Sequence, residues 1–277
     1  MTGKCYYIGA SWSKAEEQRW TAYRAQIAAG CDGANGSQRP AGAAANSSRS
    51  PPEGLAEPVG EPAESVEELN QNRVLLVSLK LEPYFDELYQ PLLDELALRS
   101  RLQRVKSAAA ATRLLSDKPA PTAVLVTDQA LTEAENAGVS EAALRYIRQG
   151  GTLVAMGHFS SFTPPLDMNR FFAKAGLVWE AGSYDRTRLS LNRAAVEGVM
   201  ASKLPSKYSQ KALAVKHAAP GEVWYRITAN SSPTNAYSLY ESPITLAKVG
   251  NGKLGYVGDV NAEEESNLVI LAMCGLL

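Results

Sequence analysis

Four polar residues each follow an apolar run of the sequence, where a buried strand would end and a loop begin. They are Glu82, Asp128, His158 and Asp259. An imidazole changes its charge near neutral pH, so His158 is the candidate general base or metal ligand of the set. Asp128 or Asp259 would assist this base from a neighbouring strand end. Together they predict acid–base chemistry at one edge of a sheet, with His158, Asp128 and Asp259 as the candidate catalytic residues.

A second set of residues could bind a ligand near these strand ends. It consists of Ser160, Ser161, Asn261, Glu82 and Arg186. The two serines could supply a hydroxyl nucleophile beside His158, although the sequence lacks the Gly-x-Ser-x-Gly turn of α/β-hydrolases. Arg186 lies in the run 184–188, whose two guanidinium groups could grip a carboxylate or a phosphate. Asn261 precedes the last helix, whose first backbone N–H groups could hold an anion.

Each candidate also has a purely structural interpretation. Asp128 begins a turn into a helix, where aspartate is favoured as a cap, and this interpretation is the stronger one. Asp259 and Asn261 would likewise cap the final helix. His158 could hydrogen-bond its own turn, and the serines after it could belong to a loop. The sequence leaves the catalytic and the structural interpretations open.

The composition argues against several classes of function. The chain has 28 Lys and Arg against 29 Asp and Glu, so no basic field attracts nucleic acid or an anionic membrane. Its three cysteines and two histidines lack the paired spacing of a zinc site. No Walker loop and no Gly-x-Gly-x-x-Gly turn follows a strand. We therefore expect no cofactor and no metal, a small-molecule ligand or a protein as partner, and a reducing cytoplasm as the compartment.

The elements that would position these residues alternate between strand and helix up to residue 175. Apolar runs at 74–79, 122–127 and 152–156 are typical of strands covered on both faces, and 102–106 is a shorter strand. Helices are expected at 85–96, with Pro91 at a start or kink, before residue 115, and at 166–175. Ser140 is expected to cap another helix that ends at Gly150. This alternation predicts a flavodoxin-like three-layer α/β/α domain with a mostly parallel sheet.

The C-terminal part departs from this alternation. A strand over 177–192 and a helix over 194–204 precede an expected hairpin over 212–228, which turns near Pro220. A second hairpin turns at 250–252, between strands at 244–249 and 253–257. Three glutamates at 263–265 open a buried final helix. We expect these strands to form antiparallel additions at one edge of the sheet.

Two segments precede the α/β domain, which is expected over 70–277. Residues 1–31 contain a short helix that begins near Ser13, and could be the remnant of a longer N-terminal domain. Residues 32–69 are rich in Gly, Ala, Pro and Ser. Such a stretch cannot bury enough apolar surface to offset the entropy of ordering, so it predicts a disordered linker.

Two stretches carry a resemblance to a known superfamily. The segment 150–158, Gly-Gly-Thr-Leu-Val-Ala-Met-Gly-His, resembles the strand and elbow of class I glutamine amidotransferase-like proteins, closest to the trehalose-utilisation type. The stretch 249–259 looks like that group's late glycine hairpin and strand. The region 150–277 is also similar to an uncharacterised family of fungal hypothetical proteins. The resemblance covers about 73–277 and implies the same α/β fold.

The chain departs from this superfamily where its chemistry lies. The resemblance implies a nucleophilic cysteine in the turn after the double-glycine strand, but that turn is Gly157-His-Phe-Ser160. It also implies a late His-x-Glu pair, where this chain has Gly258-Asp-Val-Asn261. Hydrolysis of glutamine by a thiolate therefore lacks its nucleophile and its base. We expect a binding or interaction module. The alternative is a hydrolase or isomerase that acts on a small polar or sugar-like substrate with His158 as general base.

Overall fold

The computed structural model describes residues 72–196, 198–228 and 240–277, and the predicted segments 1–31 and 32–69 lie outside these ranges. The described residues form a sheet flanked by helices. Its strands are β1 (Arg73–Val77), β2 (Arg101–Val105), β3 (Ala123–Val126), β4 (Thr152–Ala155), β5 (Glu180–Leu191), β6 (Lys207–Lys216), β7 (Val223–Ile227), β8 (Ile244–Val249) and β9 (Gly252–Val257). Across the sheet they follow the order β2-β1-β3-β4-β9-β8-β7-β5-β6.

The helices lie between these strands and after the last one. They are α1 (Phe85–Leu88), α2 (Gln90–Arg99), α3 (Ala108–Leu115), α4 (Ala137–Arg148), α5 (His158–Phe162), α6 (Pro165–Ala175), α7 (Gly198–Lys203) and α8 (Glu264–Met273). Within the described ranges, none is long and apolar enough to cross a membrane.

The five strands from β2 to β9 run parallel, and four of them, β2, β1, β3 and β4, are those that the alternation of the sequence predicts. Strand β9 was expected among the antiparallel additions, but it pairs with β4 in parallel and with β8 antiparallel, so it joins the two halves of the sheet. The side chains of β3 are completely buried, because helices cover both faces of this half of the sheet. Val74 and Leu76 share one core cluster with residues of α2 and α8, whereas α3 packs against α4. The predicted three-layer α/β/α fold with antiparallel C-terminal additions is therefore confirmed.

The antiparallel half corrects one expectation. Strands β8, β7, β5 and β6 follow β9, and β8 and β9 form the predicted hairpin. The predicted hairpin over 212–228 is wrong, because β5 lies between β6 and β7 and pairs with both. Pro220 and Gly221 do lie in a loop, which connects β6 to β7. Which strand pairs with which depends on the twelve-residue β5, a distant element that a local turn signal does not report.

Strand β6 closes this half of the sheet into a ring. Its outer edge meets the chain just after β9: Leu213 N donates to Gly258 O at 3.0 Å, and Val260 N donates to Lys211 O at 3.1 Å. A Cβ atom at Gly258 would overlap the carbonyl oxygen of Leu213, so this close approach requires glycine. The closure brings β5 and β6 next to the loop that leads from β9 into α8.

Three helix boundaries also differ from the sequence expectations. Helix α4 begins at Ala137, so Ser140 lies inside the helix and does not cap it. The expected helix at 194–204 is confined to α7, because the preceding residues form a turn on the carbonyl oxygen of Asn192. The segment at 85–96 is divided at Tyr89 into α1 and α2, and Pro91 lies in the first turn of α2 as expected.

Candidate functional site

The carboxyl ends of β1, β3, β4 and β9 lie along one edge of the sheet, where open α/β sheets bind their ligands. Glu82, Asp128, His158 and Asp259 follow these four strands in that order. The sequence expectation that these residues belong to one edge therefore agrees with the topology. The side-chain contacts divide the four residues into separate groups.

Asp128 lies where the strand order reverses, between β1 and β3, and its carboxylate binds backbone. Its Oδ2 accepts a hydrogen bond from Lys80 N at 2.9 Å, and its Oδ1 accepts one from Ala130 N at 3.0 Å. Beneath it, the hydroxyls of Ser78 and Thr127 lie 2.8 Å apart. Burial raises the pKa of Asp128, although both backbone N–H groups oppose that shift. The arrangement agrees with the capping interpretation of Asp128.

We expect Asp128→Ala to lower the free energy of unfolding by about 2 kcal/mol, since it leaves two backbone N–H groups without their acceptor. Asp128→Asn keeps one carbonyl oxygen and should lose less. Urea denaturation of both variants measures these changes. Unchanged stability in Asp128→Ala would contradict the capping role.

The turn from β4 into α5, which we call the elbow, has a glycine at its strained position. Gly157 has φ 63° and ψ −128°, and α5 begins at the next residue. In enzymes with a strand–turn–helix elbow, the nucleophile occupies such a strained residue. A Cβ atom at Gly157 would lie 3.1 Å from Phe85 Cε2 and 3.4 Å from Tyr89 Cζ. A side chain at this position would therefore press against the Phe85 ring and contact the Tyr89 ring, in a backbone conformation that favours glycine.

His158 is buried among aromatic rings just after the elbow. The ring centroids of Tyr84, Phe85 and Phe162 lie 5.1 to 5.2 Å from its own, and all three meet it edge to face. Neither imidazole nitrogen has a hydrogen-bond partner among the described residues. Burial lowers the pKa of His158 to about 4. The imidazole is therefore neutral at physiological pH.

Asp259 lies at the end of β9 and forms a pair with Glu263, which we call the acid pair. Asp259 Oδ1 accepts from Asn261 N at 2.9 Å, and its Oδ2 accepts from Glu263 N at 3.0 Å. Burial raises the pKa of Asp259 well above its usual range, and the hydrogen-bonded carboxyl group of Glu263 raises it further. A neighbouring carboxyl group disfavours the charged form of an acid, so this contact adds to the effect of burial on Asp259.

Strands β5 and β6 each supply a hydrogen-bond donor to the acid pair, and the donor from β5 is a guanidinium group. Arg186 Nη2, from β5, donates to Glu263 Oε1 at 2.8 Å, and Lys211 N, from β6, donates to the same oxygen at 3.2 Å. The Arg186 side chain is half exposed and that of Glu263 is 15% exposed, so the ion pair between Arg186 and Glu263 lies at the surface. The predicted site residues Arg186 and Asp259 are therefore linked through Glu263.

Other buried polar groups surround the acid pair. Gln210 Oε1 accepts hydrogen bonds from Tyr208 OH at 3.0 Å and from Ser266 Oγ at 3.1 Å. Tyr89 OH is buried without a hydrogen-bond partner among the described residues. Burial, and then the negative charge of Asp259 and Glu263, raises the pKa of Tyr89 well above its usual range. The gathering of these polar side chains around the acid pair was not predicted from the sequence. The four-residue spacing of Asp259 and Glu263 was the one local sequence feature that could have indicated it.

The remaining predicted residues have identifiable contacts. Ser160 Oγ donates to Gly157 O at 2.9 Å and lies 3.3 Å from Asp259 O, so it ties the elbow to the end of β9. Ser161 is buried beside it, and Asn261 is exposed apart from its backbone contact. Glu82 offers its carbonyl oxygen to Phe85 N at 3.1 Å. The structure thus brings Asp259, Arg186, Ser160 and Asn261 together. No hydrogen bond between described residues joins them to His158, Asp128 or Glu82.

A separate groove of about 430 Å³ lies between the first turns of α3 and α4. Its walls include Ala108, Thr112, Arg113, Glu135 and Asn136. None of the predicted site residues lines it. In the described part of the chain, no group of three or more His, Cys, Asp or Glu side chains could hold a metal ion.

Comparison with known proteins identifies the fold. No family model matches the sequence, and no curated protein matches it. A ThuA-like protein from Bacteroides uniformis superposes on 76% of this chain and 93% of its own, with 13% identity and a TM-score of 0.51.

Two other solved structures show weaker likeness. A cytoplasmic protein from Salmonella typhimurium covers 74% of this chain and 96% of its own, with 12% identity and a TM-score of 0.48. A β-galactosidase from Bacillus circulans covers 76% of this chain and 31% of its own, with 14% identity and a TM-score of 0.45. No comparison supports the resemblance to fungal proteins. At these identities the likeness concerns the fold alone, and it shows that this chain shares the α/β fold of the ThuA-like protein.

Proposed function

We propose that this chain is a cytoplasmic binding or interaction module, built on a glutamine amidotransferase-like fold that performs no thiolate chemistry. The observation that carries the proposal is the glycine at the strained position of the elbow. A nucleophile needs a side chain at that position, and glycine has none; an added side chain would press against the Phe85 ring. The partner would be a small polar molecule or another protein.

The alternative function, a hydrolase or isomerase with His158 as general base, has less support. A general base works best when its pKa lies near the working pH, whereas burial lowers the pKa of His158 to about 4. A base must also reach the proton that it removes. The rings of Tyr84, Phe85 and Phe162 pack against this imidazole instead.

An activity screen tests the proposal directly. The full chain is assayed for hydrolysis of glutamine, nitrophenyl esters and nitrophenyl glycosides, beside a His158→Phe variant. We expect both proteins to give the rate of the buffer blank. Turnover that disappears in a folded His158→Phe variant would overturn the proposal in favour of the enzyme, and turnover that persists in it would overturn the proposal through another residue.

A further inference from the structure

The outward face of the β7-β5-β6 part of the sheet is lined with positive side chains. They are Arg186, Arg188, Lys207, Lys211 and Arg226, and we call them the basic face. Alternate residues of the same strands, such as Leu189, Gln210 and Tyr225, are buried on the inner face. On the basic face Arg186, Arg188, Lys207 and Arg226 are exposed, and Lys211 is half-buried.

The strand register places these charges side by side. Arg186 is directly opposite Lys211, and Ser190 lies between Lys207 on one side and Arg226 on the other. Opposite residues of antiparallel strands are about 5 Å apart, and like charges at that separation destabilise a sheet. Lys211 reflects this crowding, because burial and then the positive charge of Arg186 lower its pKa. An arrangement that costs stability is expected where function requires it.

Little negative charge neutralises the basic face. Arg186 forms an ion pair with Glu263, whereas Arg188, Lys207 and Arg226 form none with any described residue. The whole chain carries one more acidic than basic residue, so this local excess of positive charge is not a property of the protein as a whole. Three of the five cations are arginines, whose planar guanidinium groups can hold a carboxylate with two hydrogen bonds.

We infer that the basic face docks an acidic segment of a partner protein. It extends over five residues of β5, from 186 to 190, and three strands across, about 13 Å by 10 Å, which suits a short segment better than a nucleic acid duplex. Single-stranded nucleic acids are held by exposed aromatic side chains. On this face Tyr184 is half-buried under the Lys211 ammonium, and Trp224 is buried.

The inference rests on the proposed binding role and names a partner class for it. If the acidic peptide failed to bind, the conclusion that the elbow is catalytically inactive would still stand, because that conclusion is tested by hydrolysis and not by peptide binding. Conversely, hydrolysis by the elbow would overturn the binding role even if acidic peptides bound to the basic face. The two outcomes are therefore distinguishable.

The test measures binding of a fluorescent oligo-glutamate peptide to the full chain by anisotropy at low salt. The triple variant Arg188→Glu, Lys207→Glu, Arg226→Glu reverses the basic face. The matched control Arg101→Glu, Lys106→Glu, Lys174→Glu changes the net charge equally, at exposed positions elsewhere. We expect about a tenfold or greater loss of affinity in the first variant and less than about twofold in the control. A triple glutamine variant at 188, 207 and 226 should show a loss of affinity between these two values. It replaces the triple glutamate variant in the test if the charge reversal prevents folding.

Three results would overturn the inference. The wild-type chain could fail to bind the peptide. The variant that reverses the basic face and the matched control variant could also lose affinity equally. Duplex DNA or phosphatidylserine vesicles, supplied at the same concentration of negative charge, could bind to the basic face more tightly than the peptide. The last result would assign the face to a nucleic acid or a membrane instead of a protein.

Discussion

Gly258→Ala should lower the free energy of unfolding by about 3 kcal/mol or more, the range of severe overpacking. The added methyl group would overlap the carbonyl oxygen of Leu213, a backbone atom that cannot rotate away. The strands would have to separate, which breaks the hydrogen bonds that close the ring, from Leu213 N to Gly258 O and from Val260 N to Lys211 O. Urea denaturation, followed by tryptophan fluorescence, measures the loss.

Gly221→Ala is the matched control for this variant. A Cβ atom there meets nothing within 4 Å, so the substitution should change stability by less than about 1 kcal/mol. Equal denaturation midpoints for Gly258→Ala and the wild-type chain would show that β6 does not close against the end of β9. The loop that holds the acid pair would then be positioned in another way.

His158→Phe should retain or increase stability, whereas His158→Ala should lose about 3 kcal/mol through the cavity that it leaves. Phenylalanine preserves the edge-to-face contacts with Tyr84, Phe85 and Phe162. It also removes two buried nitrogens that have no hydrogen-bond partner among the described residues, and such groups are costly to bury. Denaturation at neutral pH compares the three proteins.

The same substitution should change how stability depends on pH. An unfolded histidine has a pKa near 6.5, and burial lowers the pKa of His158 to about 4 in the folded chain. Between these values the unfolded chain binds a proton that the folded chain does not, so stability falls as the pH falls. By linkage the loss approaches about 3 kcal/mol by pH 4.

The comparison with His158→Phe isolates this contribution. The raised pKa of Asp259 acts in the opposite sense, because its stabilising effect is lost as the pH rises, but it is present in both proteins. Tyr89, whose ring also faces the imidazole, has a pKa raised well above its usual range and stays uncharged here. The stability of wild type relative to His158→Phe should therefore fall between pH 6.5 and 4. A constant difference would mean that His158 is accessible to protons in the folded chain.

The parallel half of the fold could be predicted because its signals are local. Residues 74–77 of the first strand are a continuous apolar run, and the fold buries all four of them. The pairing of β6 with β5 could not be predicted in this way, since the turn near Pro220 indicates only that the chain turns. The ring closure depends on a single glycine, Gly258, whose neighbour Leu213 is distant in sequence.

The candidate site shows the same limit. The topology places the predicted His158, Asp128 and Asp259 at one edge, but some of their contacts come from distant parts of the chain, such as Lys80 N at Asp128 and the Phe85 ring at His158. Glu263 has the sequence features of a helix start, and its contacts with Arg186 and Lys211 exist only because β5 and β6 return to the end of β9. The role of Asp128 as a cap was predictable, because a carboxylate that binds the next turn is a local interaction.

The elbow glycine also restricts how this protein could change over evolution. A glycine codon can reach a cysteine codon by a single base change, yet a cysteine at 157 would meet the rings of Phe85 and Tyr89 in a backbone conformation that favours glycine. Relieving the contact by replacing Phe85 or Tyr89 with a small residue would itself lose an aromatic ring, at a cost of about 3–5 kcal/mol. Placing a thiol at 157 would therefore need a compensating change in the surrounding rings, and the packing of the elbow is a barrier to that substitution.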